Sequence, residues 1–432
     1  MRSETVSTKL HQLTEQARRH PERVFTTLHH LIDVEFLQEA FLRLRKDAAA
    51  GVDNMTSAEY EEGLVQRLTE LHLRVHTNRY RAQPVRRVWI EKEDGKRRPL
   101  GIPALEDKIL QRAVQMVLQP IYETEFYDHS YGFRPKRSAH QALSQLRQSC
   151  FDCEVSSIYD ADVSHYFDDI DHQQLNRFLD KRVKDGVIRR LINKWLKSGV
   201  LDGERLYYPP SGSPQGGVIS PLLSNVYLHY VLDEWFVREV QPRLHGRAFL
   251  VRFADDFVIG CELASDADRL ALVIPKRFAK YGLQIHPEKT RQVPFWRPSK
   301  RMTHRSGLGT FDFLGFTHYW GKARSGYWVV RRKTASKRLR RSLKALWTWC
   351  RKNRHIQVHE QHRTLSRKLQ GHYGYYGIRS NYKMLEVVYE DTLRMWRRWL
   401  GRRSRKGYLT IKAFAKFIEC YPLPKPRIVH AL

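Results

Sequence analysis

Cysteine is scarce in this chain. Five residues scattered over 432 positions make no disulfide framework, and the lone Cys150-x-x-Cys153 has no second pair to complete a zinc site. Apolar runs are short: none approaches the roughly 18 residues of a transmembrane helix. Met1-Arg2-Ser3-Glu4-Thr5 lacks the apolar core of a secretory leader, so a cytoplasmic protein is expected. Internal repeats and low-complexity tracts are absent. Acid is also in deficit, with 46 Asp+Glu against 76 Lys+Arg and a formal charge of +30. Such an excess on a soluble chain points to a polyanionic partner, nucleic acid being the commonest. What is present suffices to fold: 41% hydrophobic and 12% aromatic residues exclude wholesale disorder, and the length suits two or three packed domains.

The apolar pattern is helical up to Leu73, with Leu31, Val34, Leu37, Ala40 and Phe41 three or four apart. Val85, Val88 and Ile90, the turn Glu93-Asp94-Gly95 and then Arg98-Pro99-Leu100 predict a hairpin. A strand is predicted at Ser157–Val163, a long amphipathic helix from Ser220 to Phe236, and two apolar runs, Phe249–Ala254 and Phe257–Gly260, with Asp255-Asp256 in a tight turn between them. A helix near Ala267–Tyr281 precedes strands at Phe311–His318 and Tyr327–Val330. Mixed strands and helices in this order predict an α+β fold, with helices covering a mostly antiparallel sheet. From Gly321 to Ile356 there are thirteen Lys+Arg and no acid, around an apolar stripe of Leu339, Leu343, Leu346, Trp347 and Cys350. That pattern fits a basic amphipathic helix that lies on a membrane, enters a nucleic-acid groove or presents a solvated face, and its polar flanks favour nucleic acid.

Two groups of carboxylates carry the chemistry. Asp255 and Asp256 are adjacent like charges between apolar strands, where Asp-Gly or Asn-Gly would make a better turn. Asp160 and Asp162, two apart in an apolar strand, point to one face of a sheet. Buried unpaired carboxylates are costly, and convergence on hard divalent cations would relieve both pairs. Two-metal phosphoryl transfer needs such an arrangement, its ions roughly 3.5–4 Å apart.

The segment Phe253-Ala254-Asp255-Asp256 resembles the Y/F-x-D-D motif of reverse transcriptases, and the collinear order of further segments resembles the bacterial group II intron-encoded type, the maturases. These segments are Gly51-Val52-Asp53, Lys92–Pro103, Ser130-Tyr131-Gly132-Phe133-Arg134-Pro135, Asp160-Ala161-Asp162-Val163 and Phe167-Asp168-Asp169-Ile170-Asp171-His172. They continue with Gly212-Ser213-Pro214-Gln215-Gly216-Gly217, Ser220-Pro221-Leu222-Leu223-Ser224-Asn225, Gly282-Leu283, Glu288-Lys289-Thr290 and Phe313-Leu314-Gly315-Phe316. Each is weak alone; their shared order over most of the chain is specific.

The resemblance implies a right-hand polymerase: residues 1–84 an N-terminal helical extension and the start of the fingers, 85–320 fingers and palm, 321–432 a basic helical thumb, or maturase region. It implies that Asp162, Asp255 and Asp256, with the backbone carbonyl of Val163, hold two Mg²⁺ ions (Mn²⁺ as a substitute), Asp160 being the competitor for the role of Asp162. Phe167 is implied as a steric gate against a ribose 2′-hydroxyl, and Lys92, Arg98 and Gln215 as contacts to the incoming dNTP. Lys289 is implied to touch primer phosphate or to partner the carboxylates. A thumb helix over Arg331–Cys350, with Arg338, Arg341 and Lys344, would bind nucleic acid. Leu369–Gly377 would either stack on RNA bases or form a packed aromatic cluster, and the seven Lys/Arg of Arg394–Lys406 surround Trp396 and Trp399.

Family members often carry a C-terminal endonuclease with His and paired Cys, which this sequence does not show. The expected activity is RNA-directed DNA synthesis from a DNA primer on an RNA template, with intron RNA bound to help it splice. The alternatives are a domesticated relative in defence or repair, an RNA chaperone with a vestigial site, or an RNA-synthesising polymerase on the same framework.

Overall fold

Val85, Val88 and Ile90 lie on a strand, Val85–Glu91 (β1), that pairs antiparallel with Arg97–Ile102 (β2), Val88 opposite Leu100. The computed structural model describes residues 2–91, 97–213, 216–299, 301–302, 308–404 and 407–431, with side chains from residue 6 onward; the expected Glu93-Asp94-Gly95 turn lies outside these. The described residues fall into two compact units, 1–138 with 159–292 and 139–158 with 293–432.

In the first unit the remaining strands are Ser157–Ser164 (β3, which enters it at Tyr159), Val200–Asp202 (β4), Arg205–Tyr207 (β5), Ala248–Phe253 (β6), Asp256–Cys261 (β7) and Gln284–Ile285 (β8). One sheet has the order β2-β1-β4-β5, with β4 parallel to β1, and another places β6, β7, β3 and β8 side by side. Helices supply the core. Helix Val34–Leu42 starts at Asp33, whose carboxylate accepts from the Phe36 amide at 2.8 Å, an ordinary N-cap. It buries Phe36, Leu37, Ala40 and Phe41 completely, so truncating Leu37 to Ala would cost about 2–5 kcal/mol.

The predicted helix from Ser220 to Phe236 runs on to Val240, and two stretches of it, His229–Asp233 and Phe236–Val240, are wound as π-helix. Such turns admit an extra residue per turn and cluster at functional positions. The one at His229–Asp233 carries the fully buried Asp233.

The second unit holds the strands Phe311–Phe313 (β10), Phe316–Lys322 (β11) and Trp328–Thr334 (β12), with Arg291–Pro294 (β9) carrying the chain into it. The single strand expected over Phe311–His318 is instead two. Leu314 and Gly315 both take left-handed backbone (φ 50° and 78°), and Phe313 pairs with Phe316 across a two-residue hairpin, the conformation that suits such loops. The expected helix over Arg331–Cys350 begins only at Ser336. Residues up to Thr334 belong to β12, held against β11 and tied by the Thr334 amide to Asn381 Oδ1 at 2.7 Å. Helices Ser336–Lys352, Val358–Tyr376, Tyr382–Leu400 and Ile411–Cys420 enclose Leu346, Cys350, Leu365, Leu369, Tyr373, Trp396 and Phe414. No described helix is long and apolar enough to cross a membrane.

Candidate active site

The apolar strands β6 and β7 form a hairpin in which Phe253 pairs with Asp256. The tight turn therefore consists of Ala254 and Asp255, not of Asp255 and Asp256 as the sequence suggested. Asp256 is already the first residue of β7, so pleating fixes the face its carboxylate takes. Ala254 has φ 58°. A left-handed alanine is held by its surroundings, since the conformation costs about 1–2 kcal/mol in a residue with a Cβ.

β7 lies beside β3, which brings Asp255 and Asp256 to Asp160 and Asp162. Desolvation, joined by repulsion from Asp160, Asp162 and Asp255, holds the Asp256 carboxyl well above the ordinary carboxylate range, with Lys289 opposing. Asp255 is raised chiefly by burial and further by Asp162, against the charges of Arg98 and Lys289. The two β3 acids have taken up cations of the chain itself. Lys289 Nζ donates to Asp162 Oδ2 at 2.5 Å, and Arg291 Nε donates to Asp160 Oδ2 at 3.2 Å. The Asp160 side chain is 11% exposed, whereas that of Asp162 is 30% exposed, leaving Asp162 the more accessible of the pair. Val163, next in β3, is buried and pairs with Ile285 of β8.

Behind the turn stands a group that the sequence reading did not single out. Arg252 of β6 is wholly buried, and all five N–H donors of its guanidinium are used. Nε and Nη2 donate to the two oxygens of Asp233 at 2.8 and 2.5 Å. Nη2 also donates to Ser130 Oγ at 2.8 Å, and Nη1 to Asn225 Oδ1 at 3.1 Å and to the Ala254 carbonyl at 2.9 Å. Burial disfavours the Asp233 carboxylate, but the charges and hydrogen bonds of Arg252 and His129 together outweigh it and hold that carboxyl well below its usual range. The Asn225 amide donates to the Gly132 carbonyl at 2.7 Å, and Gly132 lies so close that a Cβ there would sit 2.3 Å from the Ala254 nitrogen. A charged residue inside the apolar run Phe249–Phe253, and an acid within an apolar helix, were the signals available, because each demands a buried partner.

Phe167 is partly buried on the short helix Tyr166–Asp169 that follows β3, its ring edge-on to Tyr166 at 5.4 Å between centroids. The glycine-rich loop packs on its backbone. The Ser213 amide donates to the Phe167 carbonyl at 2.7 Å, and a Cβ on Gly212 (φ 95°) would lie 2.8 Å from the Asp168 carbonyl oxygen. On the other side of the loop, Gly216 leans on Gly101 of β2. Arg98 is exposed on β2, near enough for its charge to act on Asp255. Lys92 and Gln215 lie outside the described residues.

Arg338, Arg341 and Lys344, in the second unit, are exposed along one side of helix Ser336–Lys352. The stripe Leu339, Leu343, Leu346, Trp347 and Cys350 faces the core of that unit. The tyrosines of Leu369–Gly377 form the packed aromatic cluster. Tyr373 is buried and donates to the Pro424 carbonyl, Tyr375 donates to the Leu314 carbonyl, and Tyr376 packs on Phe316. Trp396 and Trp399 are core residues too.

Among the described residues, no three carboxylate, imidazole or thiol groups stand as a finished ligand cage. The donor set nevertheless suits a hard cation. Asp162, Asp255 and Asp256 offer carboxylate oxygens that repel one another, and hard divalent ions are bound through such groups.

Residues 90–318 match the reverse transcriptase (RNA-dependent DNA polymerase) family, just over half the chain and including Asp160, Asp162, Asp233, Asp255 and Asp256. The chain belongs to that family. Among named relatives it is 37% identical to Protein YkfC of Escherichia coli (strain K12) over 239 residues, 48% of this chain and 62% of that protein. It is 35% identical to Group II intron-encoded protein LtrA of Lactococcus lactis subsp. cremoris over 225 residues, 51% of this chain and 37% of that one. Putative COX1/OXI3 intron 2 protein of Saccharomyces cerevisiae is 31% identical over 275 residues, 61% of this chain and 31% of that protein. The chain thus spans less than two thirds of the length of each of these relatives.

Proposed function

We propose that this chain is an RNA-directed DNA polymerase of the kind encoded by group II introns, extending a DNA primer on an RNA template with dNTPs and binding its intron RNA to assist splicing. The observation that carries this reading is the meeting of Asp255, in the hairpin turn, and Asp256, at the start of β7, with Asp160 and Asp162 on the adjacent β3, inside the stretch that matches the family. Similarity to proteins named as intron-encoded supports the intron partner.

In this reading the sheet carrying β3, β6 and β7 is the palm, the β1–β2 sheet belongs to the fingers, and the helices from Ser336 onward form the thumb. Asp162, Asp255, Asp256 and the Val163 carbonyl would hold two divalent ions, Mg²⁺ or in its place Mn²⁺. Such ions, when bound, activate the attacking 3′-hydroxyl and stabilise the leaving pyrophosphate. The chain's own groups do the rest. Lys289 holds Asp162 until other cations arrive. Arg98 on β2 and Lys92 grip the triphosphate, Arg through its planar fork. Gln215 touches the nucleotide. Phe167, whose backbone is gripped by the Gly212 loop, sets its ring against a ribose 2′-hydroxyl. Arg338, Arg341 and Lys344 bind phosphates of the template–primer duplex or of intron RNA.

The test is primer extension by the purified chain on poly(rA)/oligo(dT) with dTTP. Magnesium-dependent product that EDTA abolishes is expected. RNA binding with no extension at any divalent metal concentration would leave a binding protein only.

A further inference from the structure

All five guanidinium donors of Arg252 are engaged in a site with no exposure to solvent. The acceptors come from four places in the sequence: the Ser130–Gly132 segment, Asn225 on one helical turn, Asp233 on the π-wound turn, and Ala254 in the hairpin turn itself. The backbone repeats this arrangement. The Tyr131 amide donates to the Arg252 carbonyl at 2.9 Å and the Arg252 amide to the His129 carbonyl at 2.8 Å. Gly132 then closes on Ala254 from the other side, its carbonyl held by Asn225. If Arg252 served stability alone, its contacts could end at Asp233 and Ser130. The bond to the Ala254 carbonyl has a local consequence, because Ala254 is the left-handed residue on which the turn pivots and the two acids follow directly.

We propose that Arg252 is a positioning residue for the Asp255–Asp256 turn: by holding the Ala254 carbonyl from within the core it keeps an alanine in left-handed backbone, and so sets where both carboxylates stand relative to Asp162. The inference rests on the reading that these acids serve polymerisation. Asp233 orients the guanidinium, Asn225 links it to Gly132, and the sequence Arg-Phe-Ala-Asp-Asp acts as one unit. Lysine cannot take over, since an ammonium has three donors and no planar fork.

The experiment uses the full chain as wild type, Arg252→Lys, Asn225→Ala and the double variant Arg252→Lys/Ala254→Gly. Five quantities are read: kcat and KM for dTTP on poly(rA)/oligo(dT), RNA affinity, melting temperature, and amide hydrogen exchange across Phe253–Phe257 in metal-free buffer. Arg252→Lys is expected to lower kcat about 100-fold, as misplacement of reacting groups by about 1 Å does, with KM and RNA affinity within about threefold. Exchange should quicken at residues 253–257 and not elsewhere on β6 and β7. Glycine accepts left-handed backbone without strain, so Ala254→Gly on the Arg252→Lys background should recover about tenfold in kcat if the conformation of residue 254 is what was lost. Asn225→Ala, a milder change, should shift exchange and kcat in the same direction, which keeps the test open if Arg252→Lys does not fold.

Unchanged kcat and exchange in Arg252→Lys would overturn the proposal. So would parallel loss of kcat, RNA affinity and melting temperature with no recovery by glycine, which is the signature of a general core defect. A wild type that extends no primer would instead fail the polymerase reading, while the exchange measurement would still report on the turn.

Discussion

The carboxylate turn and the basic helix Ser336–Lys352 use charge in opposite ways. Behind and beside the turn, charged groups are set against particular partners: the buried Arg252 uses every donor, Asp160 and Asp162 meet Arg291 and Lys289, and Asp256 is crowded by three other acids. Along the helix, Arg338, Arg341 and Lys344 stand exposed while the apolar stripe beneath them does the packing. Buried charge is sensitive to single substitutions because the partner left behind is stranded. Exposed charge acts collectively and is screened by salt. The two regions should therefore respond differently to perturbation, one sharply at single atoms and the other gradually with charge count.

The widest gap is expected for Asp255→Asn and Asp256→Asn. Each should reduce primer extension by about 10³-fold or more, the scale of losing a group that stabilises charge in the transition state, while RNA affinity stays within a few fold. Loss of both functions together would make the acids structural. Phe167→Ala should come next, raising rNTP use relative to dNTP by about tenfold to 100-fold, within what one pocket contact can discriminate. Single-nucleotide incorporation with each sugar measures it, and an unchanged ratio would remove Phe167 from the gate. On the exposed side, Arg338→Ala/Arg341→Ala/Lys344→Ala should leave kcat on saturating template near the wild-type level. Its slope of log affinity for single-stranded RNA against log salt should flatten by about 2, from roughly 0.7 per phosphate contact; an unchanged slope would mean that other cations carry the contact.

The smallest effect is one of pH. Folding raises the Asp256 carboxyl above its ordinary range, so the fold favours the protonated acid. Stability is then lost as Asp256 ionises, beginning near the unfolded value of about 4 and growing up to its raised value. In metal-free buffer Asp256→Asn should melt a few degrees above wild type at pH 8, with the difference shrinking as pH falls toward 4. A wild type that melts higher than Asp256→Asn at pH 8 would contradict this sign.

Much of the site was legible because its acids sit where carboxylates are costly. Asp160 and Asp162 in one apolar strand and Asp255 and Asp256 beside two others predict carboxylates that converge, and β7 beside β3 brings them together. The hairpin register was not legible. Nothing in Phe-Ala-Asp-Asp says that an alanine takes the left-handed position usually given to glycine, because the cause lies in Gly132 and Arg252, distant in sequence or hidden in an apolar run. Leu314-Gly315 was missed as a turn for the opposite reason: a single glycine between four aromatic and aliphatic neighbours reads as strand. The family resemblance left Lys289 between phosphate and carboxylate, and the fold sets it on Asp162. The tyrosines of Leu369–Gly377 are equally compatible with base stacking and with core until helix Val358–Tyr376 turns them inward. Packing of that kind depends on segments far apart in the chain.

The most direct test is manganese binding followed by electron paramagnetic resonance, on wild type and Asp256→Asn, each with RNA template, a 3′-deoxy DNA primer and the matching dNTP. Two bound ions per chain are expected for the wild type and at least one fewer for Asp256→Asn; equal stoichiometry and affinity in both proteins would contradict a metal centre shared between β3 and β7.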